Sequence, residues 1–500
     1  MAMIRWRNGP LLAAAAMSLP GSPALAQNQS SPQAALQDMR SADDRLAEHR
    51  RRVEADTRAS RAMPPPPRPT GPAANGIVEP PPGAARQRPF SKDESRPAPP
   101  EAAARTTADL ERRATPLPPP PPPPCFSSPR SGSRIKVFPE VTWHVCFRDM
   151  GRKGLWVGPV HFRRTASGPW MTVLYEAGLT EIFVPYHQIN FRPYDLQWTL
   201  GLSQVGPQDV GVNGSLVWLS GETIPTVVTE VRDRGIGWLC KGTTAPTRRA
   251  QEMVLWGIID GGNYDNIIEF GFRDDGAMTF RMGNTGYNSP SNPVEPHTHN
   301  ALWRVDMDLN GASGDTAYWL THGEPGPTVA LPYAQDVRTA FGVEGSRRWS
   351  ASENATLLIE DGATNAFGNR IGYQFLPMEN MPSRHFGPDE LWTQNDVYVT
   401  RWNYNELSWM GPYPYPAAPW LAPDSYLMTY LNGQSTNGED LVVWVKTAAE
   451  HHPTDEDRSS ADLNTSNTTG VTLAHWSGFR IEPYNLFNAN PLGGPARCGP

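Results

Sequence analysis

Ile267-Ile268-Glu269-Phe270, the turn residues Asp274-Asp275-Gly276, and Met278-Thr279-Phe280-Arg281-Met282 form the stretch that decides the fold. β-Branched and aromatic residues flank an Asp-Gly pair that tolerates the positive φ of a tight turn, the strongest short-range sign of a β-hairpin. The pattern recurs. Asn310-Gly311 follows Trp303-Arg304-Val305-Asp306-Met307, Asp361-Gly362 follows Thr356 to Ile359, and Asn432-Gly433 follows Leu427-Met428-Thr429-Tyr430. Four hairpins are expected. Long amphipathic helical patterns are almost absent from residue 125 onward, so 125–500 is expected to be one all-β domain, a large antiparallel β-sandwich.

Upstream the composition differs. Residues 1–26 read as a secretory signal peptide: Arg5 and Arg7, an apolar run from Leu11 to Leu19, then Ala24-Leu25-Ala26 as a small-residue cleavage pattern. That run is too short to span a bilayer, and no later stretch reaches the roughly 20 apolar residues that a membrane helix needs. An exported protein, periplasmic or extracellular and without a membrane span, is expected. Residues 27–62 carry a possible helical segment, with Leu36, Met39, Leu46 and Val53 at three- and seven-residue steps among charges. Residues 63–124 are rich in Pro, Ala and Arg and end in Pro118 to Pro124. Such a run lacks backbone donors and reads as a disordered, semi-rigid tether.

Residues 125–500 hold 27 Lys/Arg against 39 Asp/Glu, a net of −12. This argues against nucleic acid as a partner and suits attraction of a cationic small substrate. Cys125, Cys146, Cys240 and Cys498 contain no Cys-x-x-Cys spacing, so in an oxidising compartment they allow three pairings. A Cys125–Cys498 link would tie the two ends of the folded region together, but the spacing selects none of the three.

The chemistry concentrates in Gly262-Asn263-Tyr264-Asp265-Asn266, Pro296-His297-Thr298-His299 and His451-His452-Pro453. On a strand, His297 and His299 point to one face and can grip one ion together. A third imidazole completes a site suited to copper or zinc. A tyrosine held against a redox-active metal is oxidisable.

Asn263-Tyr264-Asp265, Phe272 to Gly286, His297-Thr298-His299 and Trp303-Arg304-Val305-Asp306-Met307-Asp308 together resemble the catalytic domain of copper-containing amine oxidases. Asp440-Leu441-Val442, His451-His452-Pro453-Thr454-Asp455-Glu456-Asp457 and Phe479 to Phe487 extend the resemblance, which runs from about Val141 to Pro491. It implies oxidative deamination of a primary amine by dioxygen to an aldehyde, ammonium and hydrogen peroxide, by a homodimer. It also implies that Tyr264 is the precursor of topaquinone, with His297, His299 and His451 as copper ligands. In the family pattern the third ligand is followed by one residue and then Pro, which selects His451 over His452. Tyr186, in Val184-Pro185-Tyr186, and Asn263 would hold the modified ring. Asp195, in Tyr194-Asp195, would be the catalytic base. Asp306, Asp308 and Asp440 resemble the family's peripheral calcium site.

The sequence also departs from that pattern. Asp260 stands where the family has Thr, which puts a carboxylate near the cofactor position. Leu196-Gln197-Trp198-Thr199 replaces Gly-Glu-Tyr-Gly after Asp195, and the interval from Tyr264 to His297 is a short 33 residues. Trimmed loops imply an open substrate channel and a bulkier amine, even a peptide-borne lysine. A non-catalytic copper-binding sandwich with unmodified Tyr264 is one alternative reading. A carbohydrate-active exported protein, built on its 17 Trp and the Glu456-Asp457 pair, is another. Adjacent strand residues face opposite sides, which weakens that second alternative.

Overall fold

The computed structural model describes residues 121–500 except 126–127, 165–167, 188–192, 198, 241–246, 289–293, 322–336, 351–352, 386–387, 405, 407–426, 458–469 and 495–500. The signal peptide, the helical segment, most of the tether and Cys498 lie outside the described residues. Strands are numbered β1 to β19 in chain order. One sheet runs β1 (Ser131–Val137), β2 (Thr142–Asp149), β3 (Leu155–Arg163), β4 (Met171–Phe183), β10 (His297–Met307), β18 (Leu441–His451), β16 (Val397–Arg401), β13 (Gly345–Arg347). The other runs β12 (Val337–Ala340), β11 (Asp315–Thr321), β14 (Thr356–Thr364), β15 (Arg370–Met378), β19 (Thr472–Tyr484), β9 (Met278–Gly286), β8 (Tyr264–Arg273), β7 (Thr247–Asp260), β6 (Val227–Leu239), β5 (Gly214–Val217). β17 (Asn437–Glu439) pairs with β11. Pairing is antiparallel throughout the described residues, so the all-β sandwich is as expected.

Of the four turn signals, one makes the hairpin it announces. β8 and β9 pair from Phe272↔Met278 to Tyr264↔Gly286, and Gly276 takes φ +85° in the turn between them. Asn310-Gly311 does turn, with φ 63° and 150°, but the chain then leaves the first sheet for β11 in the second. Asp361-Gly362 lies inside β14, where its register against β15 shifts between Glu360 and Thr364. Leu427–Tyr430 forms the one-turn helix α1 in place of a strand, so Asn432-Gly433 joins a helix to β17.

The two sheets share one apolar core. Trp303 of β10 crosses from the first sheet and meets Phe270, Phe280 and Phe479 of the second at ring-centroid distances of 5.9, 6.2 and 6.0 Å, mostly edge-on. Its indole N–H donates to Thr447 Oγ1 at 3.2 Å, so the polar atom of a fully buried ring is satisfied. The reverse face of β10 is covered as well, because Leu302 joins Phe183, Trp392, Tyr398, Leu427, Tyr430 and Trp444 in a second cluster. Burial on both faces explains why His297 to Met307 shows no clean alternation of polar and apolar residues.

Cys125 bonds to Cys146, not to Cys498, because the chain entering β1 lies beside β2 with the two Cα atoms 5.6 Å apart. Cys240 is disulfide-bonded too. Trp143, Trp156, Trp303, Trp392 and Trp444 are fully buried and therefore belong to the core, where they cannot act as sugar platforms. Among the described residues no helix is long and apolar enough to cross a membrane. Replacing Trp303 with Ala should cost about 3–5 kcal/mol in denaturant unfolding, through lost burial and the cavity left between the sheets.

Candidate metal centre

β10 and β18 are antiparallel neighbours, and their register sets His297 directly opposite His451. Directly opposed residues share a face, and so do residues two apart on one strand. His297, His299 and His451 therefore project together from the first sheet toward the core. One nitrogen from each lies within 4.8 Å of the other two, and all three side chains are buried. His451 Nδ1 is 3.3 Å from His297 Nε2.

The outward nitrogens of two of these rings are fixed by neighbours. His297 Nδ1 lies 2.9 Å from the Glu295 carbonyl oxygen, and His451 Nε2 lies 2.6 Å from Asp457 Oδ2. Each contact assigns a proton to the outer nitrogen and leaves the inner one a free lone pair. Both nitrogens of His299 are buried without a hydrogen-bond partner. Burial drives the imidazolium form out, holding His297 at about 4 and His299 well below the ordinary histidine range. At neutral pH these two rings are neutral.

Tyr264 arrives from the other sheet as the first residue of β8. Its hydroxyl lies 3.0 Å from His297 Nε2 and 2.8 Å from His451 Nδ1, and donates to Asn288 Oδ1 at 2.9 Å. Its ring meets that of His299 edge-on at 4.5 Å. Asn288 Nδ2 in turn donates to Asp457 Oδ1 at 3.3 Å, so a chain of hydrogen bonds runs from Tyr264 through Asn288 and Asp457 to His451. Burial raises the phenol's proton affinity far above that of an ordinary tyrosine. Gly286 lets β9 approach this closely. A Cβ there would stand 2.4 Å from the Asn263 carbonyl oxygen, and its φ of +119° suits glycine alone.

Tyr186, Asn263 and Asp195 line the other side. Tyr186 stacks on His297 at 4.5 Å and hydrogen-bonds the Asn263 side chain. Burial, with the Asp195 charge second, pushes its phenol up to about 12. Asp195 opens a short 3₁₀ turn and lies against Gly261, beside the turn that carries Asn263 and Tyr264. Burial lifts its carboxyl to about 8. Asp260, expected to place charge near Tyr264, is exposed and accepts the Gly262 N–H at 2.7 Å as part of the turn. His452 is exposed beside Glu450.

Asp306, Asp308 and Asp440 also come together, one carboxylate oxygen of each within 4.8 Å of the others. Asp306 Oδ2 additionally accepts from Arg304 Nη2 at 3.0 Å. Asp315 and Asp361 stand close enough for their charges to be felt. Burial, followed by Asp361, Asp308 and Asp440, raises the Asp315 carboxyl well above the usual range.

Every residue of the imidazole–phenol cluster is legible in the sequence, as are Tyr186 and Asn263, but the residues packed around His451 are not. Asn288 follows β9 with no motif around it. Asp457 counted only as part of a motif, or as half of an acidic pair whose other member, Glu456, points away to solvent. His475, on β19, lies against His451 with the rings tilted and 4.5 Å apart, and nothing in its sequence surroundings marks it. Asp361 looked like turn chemistry alone.

Known proteins share this fold and sequence pattern. The family model "Copper amine oxidase, enzyme domain" matches residues 232–494. Amine oxidase [copper-containing] 3 of Rattus norvegicus is 28% identical over 258 residues, covering 46% of this chain and 32% of that protein. Amine oxidase [copper-containing] 2 of Mus musculus is 25% identical over 276 residues, covering 48% and 34%. The matched region thus spans about a third of the length of these relatives. Among solved structures, Pichia pastoris lysyl oxidase superposes with a TM-score of 0.56 at 18% identity, covering 71% of this chain and 53% of that one. The copper-containing benzylamine oxidase of Hansenula polymorpha gives 0.53 at 17% identity, covering 74% and 64%. At these identities the two structures speak for the fold alone. With its enzyme-domain match covering more than half of its length, the chain belongs to the copper amine oxidase family.

Proposed function

We propose that the protein oxidatively deaminates a primary amine with dioxygen, giving an aldehyde, ammonium and hydrogen peroxide, and that it carries copper and a topaquinone derived from Tyr264. One observation carries this reading: three imidazoles of one sheet converge on a single buried phenol of the other. The donor set fits copper. Its members are neutral or tautomer-fixed imidazoles, and the partnerless nitrogens of His299 are a polar cost that an ion would remove. His297 Nε2, His451 Nδ1 and one His299 nitrogen would hold the ion.

When bound, copper and the quinone supply the electron-accepting chemistry that no protein side chain provides. The chain supplies the rest. Asp195, buried and near Tyr264, is the base that takes the proton from the carbon bearing the amine; its raised proton affinity suits it to work near neutral pH. Tyr186 and Asn263 hold the ring's orientation, and Asp457 with Asn288 keeps His451 aimed. An acidic domain surface attracts the ammonium form of the substrate, and the dry site favours the neutral amine that reacts.

The non-catalytic alternative rested on Asp260 and on the altered surroundings of Asp195. The outward orientation of Asp260 and the burial of Asp195 both favour catalysis. The remaining parts of the proposal are an exported homodimer, with signal peptide 1–26, helical segment 27–62, tether 63–124 and catalytic domain 125–500, calcium at Asp306, Asp308 and Asp440, and a channel wide enough for a bulky amine. Peroxide release from small monoamines only, with none from lysyl peptides, would reject the wide channel.

Copper-reconstituted protein should stain for quinone and release peroxide with amines, and Tyr264→Phe should do neither. A colourless wild-type protein would leave the non-catalytic reading standing. Asp195→Asn should stain normally while kcat/KM falls about 10²- to 10⁴-fold. Wild-type kcat/KM should climb with pH toward about 8, because the base is protonated below that value. The same raised value means the folded state keeps a proton that the unfolded chain has released. Its contribution to stability therefore declines as pH rises from about 4 to about 8, and Asp195→Asn should flatten that part of the Tm profile. Chelation of calcium should lower Tm, with restoration by added Ca²⁺ but not in Asp308→Asn/Asp440→Asn.

A further inference from the structure

A second cluster of metal-ligating side chains lies on β2, separated from β10 by β3 and β4. His144 and Cys146 are two apart on this strand and both buried, and Cys146 sits where the register against β3 shifts between Val145 and Phe147. Cys125 comes from the chain ahead of β1 and is only half-buried. Its Sγ lies 3.6 Å from His144 Nε2. Cys125, His144 and Cys146 each bring one ligand atom within 4.8 Å of the other two.

A staple between two chain segments needs no imidazole against its sulphur, yet this one has two rings at hand. His144 lies cross-strand from His161 of β3, the rings stacked 5.8 Å apart. His144 Nδ1 and His161 Nε2 are buried with no hydrogen-bond partner. Trp170 closes over His144 edge-on, with Arg163 lying over the Trp170 ring. Two sulphurs and an imidazole form a donor set that prefers soft cations, Cu(I) or Zn(II), over hard ones.

We propose that reduction of the Cys125–Cys146 bond opens a second metal site, in which two thiolates and the His144 imidazole bind one soft cation. The exchange balances: an external dithiol is oxidised to its disulfide, the Cys125–Cys146 S–S bond breaks, and each sulphur gains one proton. The incoming ion then displaces both protons and takes the two thiolates and His144 Nε2 as ligands. Disulfide and metal exclude one another because they use the same sulphurs. The half-exposed Cys125 is the sulphur open to attack. His161 stands next to His144 as a further imidazole.

The test compares oxidised full-length protein with protein reduced by dithiothreitol and desalted without oxygen, each titrated with Cu(I) against a chromophoric Cu(I) chelator. The centre at His297, His299 and His451 is common to both, so the difference in stoichiometry reports the new site. Reduced wild type should bind one more equivalent, with sulphur neighbours in X-ray absorption. The extra equivalent should persist in Cys240→Ser, disappear in Cys125→Ser, and bind at least about tenfold more weakly in His144→Ala, which keeps its disulfide when oxidised. Equal stoichiometry in both redox states would overturn the proposal. So would extra binding that survives Cys125→Ser, is unchanged by His144→Ala, or depends on Cys240.

Discussion

The register between β10 and β18 is the constraint on which the rest of the centre depends. His297 faces His451 only because Met307 pairs with Leu441 at the far end of the same ladder. Strand side chains alternate with a period of two, so a slip of one residue would send the imidazoles of one strand to the opposite face of the sheet. The apolar neighbours lock that register. Trp303 enters the core between Phe270, Phe280 and Phe479, and Leu302 enters the cluster of Trp392, Tyr398 and Trp444. Reversing the strand would put Arg304 and Asp306 into the core. The convergence of the three imidazoles is thus inherited from packing several residues away.

The same reasoning explains the buried polar layer around the site. An uncompensated imidazole or phenol in a dry core is costly, and nearly every polar atom here is matched by another. Glu295 and Asp457 each take one nitrogen, and Asn288 joins Asp457 to Tyr264. His299 alone among the three imidazoles lacks partners among the described residues. Its position between Tyr264 and His297 makes it the member whose geometry leans most on whatever occupies the centre.

Much of this was legible in the sequence, and the limits are physical. Asn-Tyr-Asp stands out only through its resemblance to the family motif, whereas His-x-His on a strand announces itself because short-range geometry fixes which way side chains point. Asp274-Asp275-Gly276 was right about its hairpin for the same reason. Asn310-Gly311 marks a turn but not the partner strand, since a turn dipeptide sets local φ and leaves open which sheet receives the next strand; Asn432-Gly433 follows a helical turn, Leu427–Tyr430, whose four residues are too few for periodicity to tell helix from strand. Burial on both faces erased the alternation of β10. The pairing of Cys125 with Cys146, and the approach of Asp315 and Asp361 to the aspartate cluster, arise from contacts between segments that only the assembled sheets bring together. Asn288 and Asp457 belong to this class too.

Tyr264 and the three histidines belong to different sheets, and the space between packed sheets is set by the bulk of the side chains filling it, about 10 Å. Thickness of the hydrophobic layer is therefore the ruler that meets the bonding distances at the centre. A methylene gained or lost beneath Trp303 or Phe280 would shift the phenol against the imidazoles with no change to any residue that touches them. Core composition and the geometry of the imidazole–phenol cluster in this domain are one variable seen from two ends.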